Sequence, residues 1–162
     1  MERVIYLDNN ATTACAPEVF EAMKPFFCER YGNPSSIHSF GGSVMAEVEN
    51  ARRSVAGLLG ADFRNKDGVA TEIIFTSCGT ESDNAAILSA LDARSDRRKI
   101  VTSRVEHPAI LALCKELARR SYEIVEVPVD NRGRLDMEFL KNAVDQNTAV
   151  VSVMWANNEI GN

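Results

Sequence analysis

The sequence predicts an α/β fold: a mainly parallel sheet with helices packed on its faces in three layers, preceded by an N-terminal helical arm. Three observations predict it. Downstream of residue 70, apolar β-prone runs alternate with helical patterns, the strands recurring about every 25 residues. These units are not alike in sequence, so they form a βα alternation rather than a repeat array, and such alternation gives parallel strands joined by right-handed crossovers. Upstream, the chain shows helical spacing and turn-rich loops. No low-complexity linker divides the 162 residues, which suffice for one core. We divide them into an arm with its helices, residues 1–60, and part of an α/β domain, residues 61–162.

In order, Val4–Leu7 is a short strand, left by the polar loop Asp8-Asn9-Asn10-Ala11-Thr12-Thr13. Pro17 suits the first position of a helix carrying Val19, Phe20, Met23, Phe26 and Phe27, and Pro25 should kink or end it. Gly32–His38 is a turn-rich loop. A long helix follows from about Gly42 to Leu59, with Val44, Val48, Ala51, Val55, Leu58 and Leu59 at helical spacing and Gly60 as its stop. Residues 61–70 are a surface connection turning at Asp67-Gly68. Strands are then expected near Glu72–Thr76, Lys99–Ser103, Tyr122–Val127 and Ala149–Trp155. Helices are expected near Thr80–Arg94, Pro108–Arg120 and Asp136–Val144.

Composition narrows the function. Hydrophobic residues make up 45% and charged ones 25%, with a formal net charge of -5, which argues against nucleic acid or an anionic membrane as partner. The basic cluster Arg94–Lys99 falls between a helix and a strand and reads as a solvated connection. No basic stretch followed by an apolar one opens the chain, and no apolar run is long enough to cross a bilayer. Cys15, Cys28, Cys78 and Cys114 form neither C-x-x-C nor a zinc spacing, so reduced thiols and a cytoplasmic location are expected, with no metal site.

The chemistry centres on Ile73-Ile74-Phe75-Thr76-Ser77-Cys78-Gly79-Thr80-Glu81-Ser82-Asp83-Asn84, a strand passing through a tight turn into a helix. The first N–H groups of a helix lack intrahelical partners and carry partial positive charge, so this arrangement collects an anion. Ser77, Thr80 and Ser82 add hydroxyls, and Gly79 permits close approach of a ligand. Glu81 opposes an anion unless it points away. With no Walker pattern and no G-x-G-x-x-G, a phosphate ester is favoured over a nucleoside triphosphate or dinucleotide. Two more polar groups should sit on the rim where an open parallel sheet binds ligands, beyond its carboxyl strand ends: Glu106-His107-Pro108 and Asn157-Asn158-Glu159. Phosphate cradle, imidazole and carboxamide together suit a flat, phosphorylated heteroaromatic ligand. Each also has a plainer reading, as helix cap, helix start or turn. Cys78 is assigned to packing, because neither His38 nor His107 is placed as its base.

Tyr6–Thr13, Gly32–His38, Phe75–Asn84, Glu106–Pro108 and Asn157–Gly161, in this order and at compatible spacing, resemble the cysteine desulfurases. These are fold-type I enzymes using pyridoxal 5′-phosphate (PLP), within class V of the aminotransferase superfamily. The resemblance runs from Tyr6 to the last residue, and Thr76–Ser82 with Met154–Asn158 look most like the nitrogen-fixation, NifS-type members. It implies that Gly79 and Thr80 bind the cofactor phosphate. It also implies that His107 stacks on the pyridine ring and helps move protons, and that Asn158 hydrogen-bonds the ring hydroxyl near the substrate carboxylate. The implied reaction converts L-cysteine to L-alanine, leaving sulfur as a persulfide on an enzyme cysteine for an iron–sulfur cluster scaffold or other acceptor, in a homodimer.

Against that pattern the chain has no counterpart for the aspartate facing the pyridinium nitrogen, the Schiff-base lysine or the sulfur-carrying cysteine. Lys99, Lys115 and Lys141 do not match the family's lysine. The resemblance therefore implies an N-terminal portion of less than half, incomplete as a fold-type I large domain and inactive alone. Exposed strand edges are expected at Ile100–Val101 or Val150–Trp155. The alternatives are another class-V PLP enzyme, such as a selenocysteine lyase or aminotransferase, and a non-catalytic module for a phosphorylated ligand or a partner subunit.

Overall fold

The computed structural model describes residues 5–61 and 72–162. Two compact units divide at Phe75/Thr76. The expected turn at Asp67-Gly68 lies outside the described residues.

The first unit is helical. Helix α1, Pro17–Met23, and helix α2, Pro25–Cys28, each begin with proline, which presets the backbone and gives up an N–H that had no helical partner. Pro25 ends the first helix and starts the second. Neither helix has a buried residue, and Phe20 and Phe27 stay exposed. Helix α3, Ser39–Leu59, starts three residues earlier than the apolar spacing suggested, because His38 caps it: its Nδ1 accepts from the Gly41 N–H. It ends at Gly60, in the left-handed conformation with φ of 69°.

No strand forms at residues 5–7 or 72–76 among the described residues, contrary to expectation. A strand needs a partner for its backbone, and the Ile73 carbonyl accepts instead from Arg52 Nε of α3 at 3.0 Å, while the Arg52 guanidinium covers the Phe75 ring.

The second unit contains helix α4, Gly79–Ala93, strand β1, Lys99–Ser103, helix α5, Pro108–Arg119, strand β2, Glu123–Val127, helix α6, Met137–Ala143, and strand β3, Thr148–Ser152. The three strands are parallel in the order β2-β1-β3. β1 is buried along its whole length, its polar Lys99, Thr102 and Ser103 included. One face carries the core: Ile87 and Leu91 of α4, Ile100 of β1, and Ile110, Cys114 and Leu117 of α5. Ile100–Val101 is therefore the centre of the sheet and not an edge. β2 and β3 are the two edges, and at β3 Val151 and Val153 are partly open while Trp155 beyond it is fully exposed.

The amino end of the sheet is held by charge. Lys99 Nζ lies 2.7 Å from Asp145 Oδ2 and 3.4 Å from Glu123 Oε1. The hydrogen bond to Asp145 raises the lysine pKa and lowers that of the aspartate. Helix α6 starts at an Asp136 cap whose Oδ1 accepts from Phe139 N at 2.9 Å. Among the described residues no helix is long and apolar enough to cross a membrane.

Candidate functional site

The carboxyl ends of β1 and β3 adjoin because the strands are parallel neighbours, paired as far as Thr102 and Ser152. The loops leaving them carry His107 and Asn158. Helix α4 brings its beginning to the same edge. Asp83, Ala86 and Ile87 line a groove of about 310 Å³ together with Ile110 near the start of α5 and with Val150, Val151, Ser152 and Val153, which run along β3 and just past its carboxyl end. Leu91, further along α4, instead joins Cys114 and Leu117 in the core. The turn at Gly79-Thr80, the histidine loop and the asparagine loop thus share one rim.

The start of α4 combines open and occupied groups. Cys78 is the N-cap residue, no side-chain oxygen or nitrogen caps the helix, and Gly79 and Thr80 are exposed. A Cβ added at Gly79 would meet nothing within 4 Å, and its φ is not positive. Neither packing nor backbone strain within the chain therefore requires glycine there. The space is what a ligand pressed against the backbone would fill. Among the described residues nothing partners the Thr80 hydroxyl.

Ser77 and Ser82, expected to serve an anion, use their hydroxyls inside the turn. Ser77 donates both N–H and Oγ–H to Glu81 Oε2, at 2.7 and 2.5 Å, and Ser82 Oγ shares a 2.6 Å hydrogen bond with Thr76 Oγ1. Glu81 is thereby drawn back onto Ser77, whose hydroxyl and N–H hold its pKa below the usual carboxylate value.

Cys78 is exposed, which corrects the packing role expected of it. The Glu81 N–H, the Ser77 hydroxyl and the Thr80 N–H favour the thiolate and lower its pKa. No side-chain cap hydrogen bond closes the helix start, which leaves its N–H groups to an anion. Cys114 is buried, and desolvation followed by the Glu126 and Glu106 charges raises its pKa. It is a packing residue.

His107 opens α5 as its N-cap, with Nδ1 accepting from Ala109 N at 3.2 Å. That bond assigns the neutral ring's proton to Nε2 and fixes the orientation of an exposed imidazole. The plain helix-start role and an exposed functional face coexist in one residue. Asn158 is exposed, and its Nδ2 donates to Glu159 Oε1 at 3.0 Å.

Two residues to which the sequence assigned no separate role are buried beside these. Glu106 Oε1 accepts from Ser103 Oγ at 2.8 Å and from Met154 N at 2.7 Å. Asn157 Nδ2 donates to the Val105 carbonyl at 2.9 Å, while its Oδ1 accepts from Glu159 N and Ile160 N. Only burial identifies them, because a Glu before His-Pro and an Asn in a turn are ordinary at the surface. A second cavity, of about 350 Å³, is lined by Ser103, Val105, Leu135, Val153, Trp155 and Asn157 among others. The cradle at α4 therefore fits a phosphate ester: helix-start N–H groups, a hydroxyl, open space at a glycine and a carboxylate turned aside.

The aminotransferase class-V family profile matches residues 5–162. The chain is 54% identical over 157 residues to the cysteine desulfurase NifS of Azotobacter vinelandii, covering 97% of this chain and 38% of that protein. It is 51% identical over 158 residues to a cysteine desulfurase of Trichormus azollae, covering 98% of this chain and 38% of that protein. Among solved structures, a NifS-like protein superposes with a TM-score of 0.88 at 40% identity, covering 97% of this chain and 42% of the other. The chain thus spans about two fifths of the length of these relatives.

Proposed function

The chain belongs to the class-V aminotransferase family, and from that premise we propose that it is the N-terminal region of a PLP-dependent cysteine desulfurase. That enzyme converts L-cysteine to L-alanine and passes the sulfur to an enzyme cysteine as a persulfide, for an iron–sulfur scaffold or another acceptor. The observation that carries the reading is the beginning of α4. It is open at Gly79, free of any side-chain oxygen or nitrogen cap and set on one rim with His107 and Asn158, in a chain 54% identical to NifS of Azotobacter vinelandii.

In this reading the Gly79 and Thr80 N–H groups and the Thr80 hydroxyl hold the cofactor phosphate. His107 lies against the heteroaromatic ring, its Nδ1 occupied by Ala109 N and its Nε2 available to hold or move a proton. Asn158 hydrogen-bonds the ring hydroxyl and lies near the substrate carboxylate. When bound, the cofactor supplies an electron sink for bond cleavage beside the substrate amino group.

The 162 residues alone are proposed not to turn over L-cysteine. Lys99 is held protonated by Asp145 at the amino end of β1, away from the rim, and Lys115 and Lys141 lie on α5 and α6. Homodimerisation and a cytoplasmic location complete the proposal. The exposed apolar side chains of α1 and α2 support a subunit contact.

Titration with PLP tests the site. Saturable binding is expected, competed by inorganic phosphate and much weaker for pyridoxal, with no borohydride-reducible imine at a unique lysine and no alanine formed from L-cysteine. Folded protein that binds no PLP refutes the site. A reading frame that does not continue past codon 162 into a strand with an aspartate and then a histidine–lysine pair refutes the desulfurase.

A further inference from the structure

Backbone pairing between β1 and β3 stops at Thr102 and Ser152. Beyond it the two chains separate into the loops that carry His107 and Asn158. Loops beyond the last ladder bond are free to part unless side chains hold them. Here two side chains do, and they act in opposite directions.

Glu106, 7% exposed, reaches from the first loop to Met154 N at 2.7 Å in the second, while also accepting from Ser103 on its own strand. Asn157, 9% exposed, reaches from the second loop back to the Val105 carbonyl at 2.9 Å in the first. The same carboxamide organises the turn around Asn158 through Glu159 N and Ile160 N, and the Asn157 backbone N–H donates to the Asn162 carbonyl at 2.6 Å. Each clamping residue immediately precedes a candidate site residue, so fixing its backbone fixes the next Cα about 3.8 Å away. The His107 ring is then fixed in turn by Ala109 N.

We propose that Glu106 and Asn157 are positioning residues, a reciprocal clamp that holds the His107 imidazole and the Asn158 carboxamide at a set separation. Its bearing on the cofactor rests on the reading above. The clamp itself is a property of the unliganded chain. Burial makes it exacting, since each bond satisfies a backbone group that water reaches poorly, and a lost partner leaves that group unpaired.

The test compares Glu106→Ala, Glu106→Gln, Asn157→Ala and the double alanine variant, with circular dichroism confirming the fold. In the cofactor-free protein, amide exchange and chemical shifts are read at Met154, His107 and Asn158. Glu106→Ala is expected to speed exchange at Met154 and shift the Asn158 signals. Asn157→Ala should shift those of His107, and Glu106→Gln, which keeps an acceptor oxygen, should restore most of the native pattern. The affinity for PLP should fall about tenfold in each alanine variant, with the double variant losing less than the product, while inorganic phosphate binds as in the native chain. A Glu106→Ala protein whose Asn158 signals stay in place overturns the clamp, as does one that loses PLP and phosphate affinity equally. If the native chain binds no PLP, the cofactor reading fails and the unliganded spectra still decide the clamp.

Discussion

Replacing Gly79 with alanine separates what the chain needs for folding from what the site needs for binding. Gly79 is the first residue of α4, its φ is not positive, and an added Cβ would meet nothing within 4 Å. Alanine removes backbone freedom from the unfolded chain and suits a helix better. In a helix interior that is worth about 0.5–1 kcal/mol. In the first turn we take the lower end, a rise in Tm of about 1–2 °C for a chain of this size. The methyl group occupies the space assigned to the phosphate. Losing one hydrogen bond to a charged group costs about 1.5–3 kcal/mol, which weakens PLP binding roughly tenfold to a hundredfold. The two effects have opposite signs. Denaturant unfolding reads the first and PLP titration the second. A Gly79→Ala chain that is more stable and binds PLP as tightly as the native protein refutes the assignment of that space to the cofactor. One that is less stable refutes the open geometry.

Gly41→Ala should behave in the contrary way. Its Cβ would lie 2.7 Å from the Asn33 carbonyl oxygen and 2.8 Å from Ser36 Cβ, with the Ser36 carbonyl oxygen closer still. These neighbours are largely backbone, so a loss of about 1–3 kcal/mol is expected, seen as a lower denaturant midpoint with the slope unchanged. Trp155, the single tryptophan, is fully exposed, so acrylamide should quench its fluorescence as readily in the folded as in the unfolded chain. Protection from quenching in the folded chain contradicts the free edge at β3. Acid should destabilise the fold. Glu81, Glu116, Asp130 and Asp145 all have pKa values lowered by hydrogen bonds in the folded state, so the unfolded chain binds more protons there. Their contribution is present above the ordinary carboxylate range, about pH 4, and fades as pH falls through the lowered values. Lys99 works the other way: its raised pKa gives a contribution that is present below about pH 10.4 and lost as pH rises further. Melting temperatures measured across pH check both ends, and a Tm that rises on acidification below pH 4 contradicts the first.

Local chemistry was legible in the chain before any fold was known. Proline at the start of α1, α2 and α5, Gly60 after α3, and the apolar periodicity around β1, β2 and β3 act within a few residues. They placed the elements of the second unit to within one to three residues. The turn at Gly79-Thr80 was legible for the same reason, because a helix start offers N–H groups whatever surrounds it. Choices among distant partners were not legible. Nothing near Ile73 announces that Arg52 takes its carbonyl, leaving residues 72–76 outside the sheet. Nothing near Ile100 announces that β1 lies between β2 and β3. Ser77 and Ser82 looked like ligand donors until Glu81 and Thr76 took their hydroxyls. Glu106 and Asn157 meet partners 48 and 52 residues away. A hydrogen bond or strand pairing across such a separation depends on which surfaces the packed chain brings together. Composition and spacing carry the propensities of single segments, whereas the choice among competing partners is settled only when those segments meet.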